Sequence, residues 1–105
     1  MSPETEAGWV PVARLEELDA RGRAVVRVGA TEIALVTAEG RVFAIQGRCP
    51  HRGGPLVRGF VEAGPAIRCP MHGWRFDLET GASDRPARAT VYPVRVEGGQ
   101  ISIRL

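Results

Sequence analysis

Both cysteines and both histidines of this 105-residue chain fall between positions 49 and 72. They read Cys49-Pro50-His51, then seventeen residues, then Cys69-Pro70-Met71-His72. Each half offers one thiol and one imidazole two or three residues apart. Turn formers surround them: Gly53, Gly54, Pro55 and Gly59 follow the first pair, and Gly73 follows the second. Spacing this short lets one loop set both of its side chains on one centre. The fold therefore has to bring two loops together, and glycines let backbone N–H groups approach whatever sits between them.

Three readings of the constellation compete. Buried Cys and surface His can recur by chance, since single residues of either kind need no explanation. A structural zinc site is the second, because Cys₂His₂ is a common zinc set. Zinc fingers, however, pair Cys with Cys and His with His, whereas each half here is mixed. The third is a two-iron, two-sulfide cluster with two Cys on one iron and two His on the other. A disulfide between the cysteines is disfavoured if the compartment is reducing.

Composition narrows the class. The length suits one small domain, and 44% hydrophobic with 25% charged residues is an ordinary globular balance. No apolar run approaches the roughly 18–20 residues needed to span a bilayer. Residues 1–8 are polar and acidic, carry no export signal, and are expected to be a flexible tail. The expected location is the cytoplasm. All fourteen basic residues are Arg. Residues 47–88 hold seven of them against four acids, a balance that suits steering toward an acidic protein partner. Nucleic acid is not expected as a partner, because aromatics are only 6% and are not interleaved with the arginines. A membrane is not expected either.

The remaining sequence reads as β structure. Trp9–Ala13 suits a first strand, and the Leu15/Leu18 spacing suits one or two helical turns within Arg14–Ala20. Arg23–Val28, Thr31–Thr37 and Arg41–Gln46 are Val/Ile-rich runs joined by hairpin-length turns. Ala66–Arg68 and Trp74–Leu78 suggest two short strands. Thr90–Glu97 and Gln100–Leu105 flank Gly98-Gly99, and Pro93 marks an edge or bulge. Ile101, Ile103 and Leu105 alternate with polar residues, which predicts one buried face. A Gly- and Pro-rich excursion between Gly47 and Gly81 contains every Cys and His.

Residues 49–81 resemble the cluster-binding segment of Rieske proteins, whose pattern is Cys-x-His, about fifteen to seventeen residues, then Cys-x-x-His. The matching text is Cys49-Pro50-His51-Arg52-Gly53-Gly54-Pro55-Leu56 and Cys69-Pro70-Met71-His72-Gly73-Trp74-Arg75-Phe76-Asp77. A weaker similarity runs over residues 9–105. The resemblance implies an all-β fold, a Rieske-type antiparallel β sandwich or barrel with a small cluster-binding subdomain at the tip. It implies one Rieske domain over 9–105, with that subdomain at about 47–82. It also implies one 2Fe–2S cluster, with Cys49 and Cys69 on the inner iron and His51 and His72 on the outer iron.

The neighbouring residues imply a low potential. Two ferric ions, two sulfides and two thiolates sum to zero charge, so Rieske centres are easier to reduce than all-Cys ones, roughly −150 to +300 mV against about −400 mV. High-potential relatives aim Ser and Tyr hydroxyls at the cluster and pin their loops with a disulfide. The matching positions here are Trp74 and Phe76, and Gly54 and Met71, which place the chain in the low-potential branch. Leu56, Trp74 and Phe76 are read as hydrophobic cover. Pro86 suits either a shielding loop or an ordinary one, and Arg52 and Arg75 suit solvation, a partner contact or a rise in the potential.

No His remains for a mononuclear iron with two His and a carboxylate, and no Gly-x-Gly-x-x-Gly fingerprint is present. The chain is therefore expected to carry electrons without a catalytic site of its own. The resemblance implies a ferredoxin passing electrons from a reductase to a terminal oxygenase, as a monomer or in a transient complex. The Gly53–Leu56, Asp77–Gly81 and Tyr92–Val94 stretches are also similar to the small subunit of assimilatory NAD(P)H nitrite reductases, a second context. A zinc-bound interaction module is the alternative of a different class.

Overall fold

The computed structural model describes residues 8–50, 53–71 and 73–105. The expected tail thus lies outside the described residues, Gly8 excepted. The strands in chain order are β1 (Trp9–Arg14), β2 (Arg23–Val28), β3 (Thr31–Ala38), β4 (Arg41–Gln46), β5 (Phe60–Glu62), β6 (Ala66–Arg68), β7 (Arg75–Asp77), β8 (Val91–Tyr92), β9 (Val94–Glu97) and β10 (Gln100–Arg104). Single 3-10 turns form at Leu15–Glu17 and Leu56–Arg58. The strands make three antiparallel sheets, ordered β1-β10-β9, β2-β3-β4-β8 and β5-β6-β7. The all-β, antiparallel expectation is met. No helix among the described residues is long and apolar enough to cross a membrane.

The four-stranded sheet is the middle layer. Ile33, Ala34, Leu35 and Val36 on β3 are all fully buried. A continuous apolar run is what a strand covered on both faces requires. Ile33 and Leu35, with Ala44 of β4, pack against Ala13, Ile101 and Ile103 of the first sheet. Ala34, Val36, Phe43 and Ile45 point the other way, into a second cluster with Leu56, Ile67, Phe76 and Leu78. The Gly- and Pro-rich excursion is therefore packed onto the base through its own side chains.

Several sequence expectations shift. The helical turn shrinks to Leu15–Glu17, and Leu18 is already extended at φ −68°, ψ 146°. Asp19 Oδ1 accepts the N–H groups of Arg21 and Arg23, a local bond that competes with helix. Thr90–Glu97 is two strands, not one: β8 pairs with β4 and β9 with β10. Pro93 stands where the chain changes sheets, and both flanking strands are sheet edges. A residue with no N–H to offer suits that corner. The Trp74–Leu78 strand shortens to Arg75–Asp77. Leu105 lies past the end of β10 and is exposed, so the buried face stops at Ile103.

Gly81 carries the chain out of the excursion. It has φ +81°, and a Cβ there would run into the Ala89 carbonyl. The Ala89 N–H donates back to the Gly81 carbonyl at 2.9 Å, and the Gly81 N–H donates to Asp77 at 2.8 Å. Gly81→Ala should destabilise the protein by at least about 2 kcal/mol, combining left-handed strain with the clash. The midpoint of denaturant unfolding measures it.

Candidate metal centre

The excursion leaves and rejoins the middle sheet at one place. Gln46, the last residue of β4, donates its N–H to the Thr90 carbonyl at 2.8 Å. Its side chain works in both directions: Nε2 donates to the Arg48 carbonyl at 2.6 Å, and Oε1 accepts the Thr90 N–H at 2.7 Å. Gly47 donates to the Glu32 carbonyl at 2.9 Å and accepts from Leu56 at 3.1 Å. Residues 47–90 thus hang from a neck that one glutamine ties.

Within the excursion the same turn is built twice. The Cys49 carbonyl accepts the Gly53 N–H at 2.8 Å, and the Cys49 N–H donates to the Gly54 carbonyl at 2.7 Å. The Cys69 carbonyl accepts the Gly73 N–H at 3.0 Å, and the Cys69 N–H donates to the Trp74 carbonyl at 2.7 Å. Gly53 and Gly73 close these turns at φ +73° and +74°, where a side chain would be strained. Counted from its cysteine, each turn has Pro next, Gly fourth, and a His either second (His51) or third (His72). His51, Arg52 and His72 lie outside the described residues.

The two turns touch. An ideal Cβ on Gly54 would stand 2.5 Å from Met71 Cγ and 3.1 Å from Cys69 Sγ. Glycine is needed there because the opposing loop leaves no room for more. Both cysteines are buried, at 3% and 2% exposure, and no disulfide joins them. They sit in the same apolar cluster as Leu56 and Phe76, both fully buried. Trp74 is half-buried against that cluster, its ring centroid 6.5 Å from that of Phe76. These three residues supply the cover that the sequence suggests. The Arg85 guanidinium lies 5.8 Å from the Trp74 ring centroid, and Pro86, in the same loop, is exposed.

Residues 8–95 match the family described as Rieske [2Fe-2S] domain. The chain belongs to that family. It is 35% identical over 97 residues to the ferredoxin component of the alkene monooxygenase system of Xanthobacter autotrophicus, covering 90% of this chain and 80% of that one. Among solved structures it superposes on the ferredoxin of carbazole 1,9a-dioxygenase from Nocardioides aromaticivorans with a TM-score of 0.78 and 31% identity, covering 91% and 96% of the two chains. A putative NADPH nitrite reductase small subunit gives a TM-score of 0.82 over 92% and 98% of the chains. At 22% identity that match concerns the fold alone.

The prosthetic group of a Rieske domain is a 2Fe–2S cluster, and the described residues fit it. Two buried thiols stand on matched turns, and Gly54 keeps the space beside Cys69 Sγ clear. Among the described residues, three charged side chains beside Cys69 pair with one another. Glu62 binds Arg68 at 2.6 and 3.1 Å and Arg75 at 3.1 Å. The hydrogen bond from Arg68 is the main reason the Glu62 carboxyl is held below the usual carboxylate range. The same bond raises the Arg68 guanidinium. Arg75 is thus committed to Glu62 and to the Ala63 carbonyl, 2.7 Å away. This pairing within the chain was not foreseen from the sequence.

Sequence reasoning missed Arg23. It is 6% exposed, and burial is the main cause lowering its pKa. Its Nη1 donates to the Val57 and Gly59 carbonyls at 2.9 and 2.6 Å. A cation on β2 thereby pins the 3-10 turn at Leu56–Arg58 to the base. Nothing in the local sequence signals it, because donor and acceptors are more than thirty residues apart.

Proposed function

We propose that this chain is the ferredoxin component of an oxygenase system, held to its task by a Rieske cluster on Cys49, His51, Cys69 and His72. The observation that carries the ligand assignment is the doubled turn. Two buried cysteines occupy equivalent places, and each turn carries one of the chain's two histidines. When bound, the cluster accepts one electron and gives it up again. The chain's own residues hold the thiols and cover them with Leu56, Trp74 and Phe76. Residues 47–82 form the cluster-binding segment of a single domain over 9–105.

The donor is a reductase and the acceptor a terminal oxygenase, by similarity to ferredoxins matched over most of their length. Contacts are transient and the carrier is monomeric. With both histidines used as ligands, no set of two His and a carboxylate remains for a second iron, so the chain has no catalytic site of its own. Unbridged thiols suit the reducing cytoplasm. The nitrite reductase context rests on three short similar stretches and a fold match at 22% identity, and is the weaker reading.

Two measurements test this. The purified protein should be red-brown, with about two iron and two acid-labile sulfide per chain. A colourless protein holding zinc refutes the cluster. The reduction potential should lie on the order of −150 mV to zero, because Trp74 and Phe76 offer no hydroxyl. A value above about +200 mV contradicts that argument.

A further inference from the structure

The two ligand-bearing turns share a second device. Each cysteine is preceded by an arginine: Arg48 before Cys49, Arg68 before Cys69. Each arginine reaches across its turn to the carbonyl of the glycine that closes it. Arg68 Nη1 donates to Gly73 at 2.6 Å, and Arg48 Nη1 to Gly53 at 3.4 Å. Each is also backed by a glutamate from outside the turn. Glu62 holds Arg68 Nε at 2.6 Å and Nη2 at 3.1 Å, whereas Glu32 holds Arg48 Nε at 3.4 Å. Glu62 is itself braced by Arg75.

We propose that Arg48 and Arg68 are positioning residues of the cluster, each locking the ligand turn that follows it by way of a glycine carbonyl, with Arg68 the stronger clamp. The inference rests on the ligand assignment above. Gly73 directly follows His72, and its N–H already closes the turn on the Cys69 carbonyl; fixing its own carbonyl, in the peptide to Trp74, holds the chain one peptide beyond the ligand. A planar guanidinium can do this while bidentate to a carboxylate, because its donors point in set directions. A lysine ammonium cannot span both partners in one geometry. Such supporting shells set how firmly ligands are held and how the metal behaves. The distances rank the two clamps. Arg68 makes short, charge-assisted bonds on both sides, whereas both Arg48 contacts are at the limit of hydrogen bonding.

The test compares Arg68→Gln, Arg68→Lys, Glu62→Gln and Arg48→Gln in the full-length, cluster-loaded protein. The readouts are the rate of iron loss to a chelator, the EPR spectrum of the reduced state, and the reduction potential. Arg68→Gln and Glu62→Gln should lose iron about tenfold faster, with altered EPR line shape. Arg68→Lys should resemble them despite keeping its charge. Arg48→Gln should change both less. If Arg68→Gln does not assemble, Glu62→Gln decides, since it leaves the arginine in place and removes the charge that anchors it, with Arg75→Gln as the control for the Glu62–Arg75 pair lost at the same time. Wild-type rates and spectra in Arg68→Gln and Glu62→Gln overturn the clamp. So does full rescue by lysine, which would make the effect one of charge, and so does an Arg48→Gln effect as large as that of Arg68→Gln. A wild-type chain that binds no iron and sulfide overturns the ligand assignment and the clamp together. A loaded wild type with indifferent variants overturns the clamp alone.

Discussion

Cys69→Ala should yield a protein without the red-brown chromophore and with close to no acid-labile sulfide. Cys69 is the more deeply buried of the two described members of the site. Its N–H and carbonyl close the second turn on Trp74 and Gly73. The residue is 2% exposed, and its Sγ lies against the first loop beside Gly54. The substitution spares the backbone turn, because alanine keeps the same N–H and C=O. Under the proposed ligand set it removes one thiolate and leaves one iron short of a ligand, since the remaining cysteine, Cys49, is assigned to the same centre. Met71 is nearby, but its thioether is neutral and 57% exposed. Iron and sulfide analysis beside the visible spectrum measures the outcome. Retention of a full cluster by Cys69→Ala would remove Cys69 from the ligand set. Retained secondary structure by circular dichroism separates ligand loss from unfolding.

Phe76→Ala should be the most damaging change to stability. The ring is fully buried between β7 and the middle sheet, in contact with the cluster that includes Ala34, Val36, Phe43 and Ile45 as well as both cysteines. Deleting it opens a cavity at the seam between excursion and base. Phe→Ala in a core costs about 3–5 kcal/mol. A domain of this length has only about 5–15 kcal/mol in total. Thermal unfolding of the loaded protein, at one fixed scan rate, should fall by about 10–30 °C. A fall of under about 4 °C would show that the seam repacks. The cluster absorbance should bleach at the same lowered temperature, because the thiols share that apolar cluster.

How much of this was legible beforehand depended on the kind of signal. Arg23–Val28, Arg41–Gln46 and Ala66–Arg68 were readable to the residue, since each is a β-branched or aliphatic run stopped by turn formers. The strand Phe60–Glu62 was not. It is three residues long, its Phe60 faces solvent, and its pairing with β6 is set by tertiary contact. Pro93 announced an edge, but the change of sheet at that point depends on which strands lie beside Val91 and Val94, and spacing does not encode that. At the site, the cysteine and histidine spacing carried the cluster, and the chain's membership of the Rieske family agrees. The arginine clamps were half visible. The repeated Arg-Cys-Pro with a glycine five residues after each arginine is in the sequence. Their anchors are not: Glu32 comes from β3 and Glu62 from β5, and only folding brings them alongside.

The neck at Gln46 has an architectural meaning. Because the chain departs from β4 and returns ahead of β8 at one junction, the segment between them adds no strand to the middle sheet and alters no connection within it. It behaves as a cassette. Its two loops can be lengthened, shortened or exchanged without rethreading the scaffold. Residues 47–90 are thus one inserted unit, with the glutamine as its fastening and Arg23 and Glu32 of the base as further anchors.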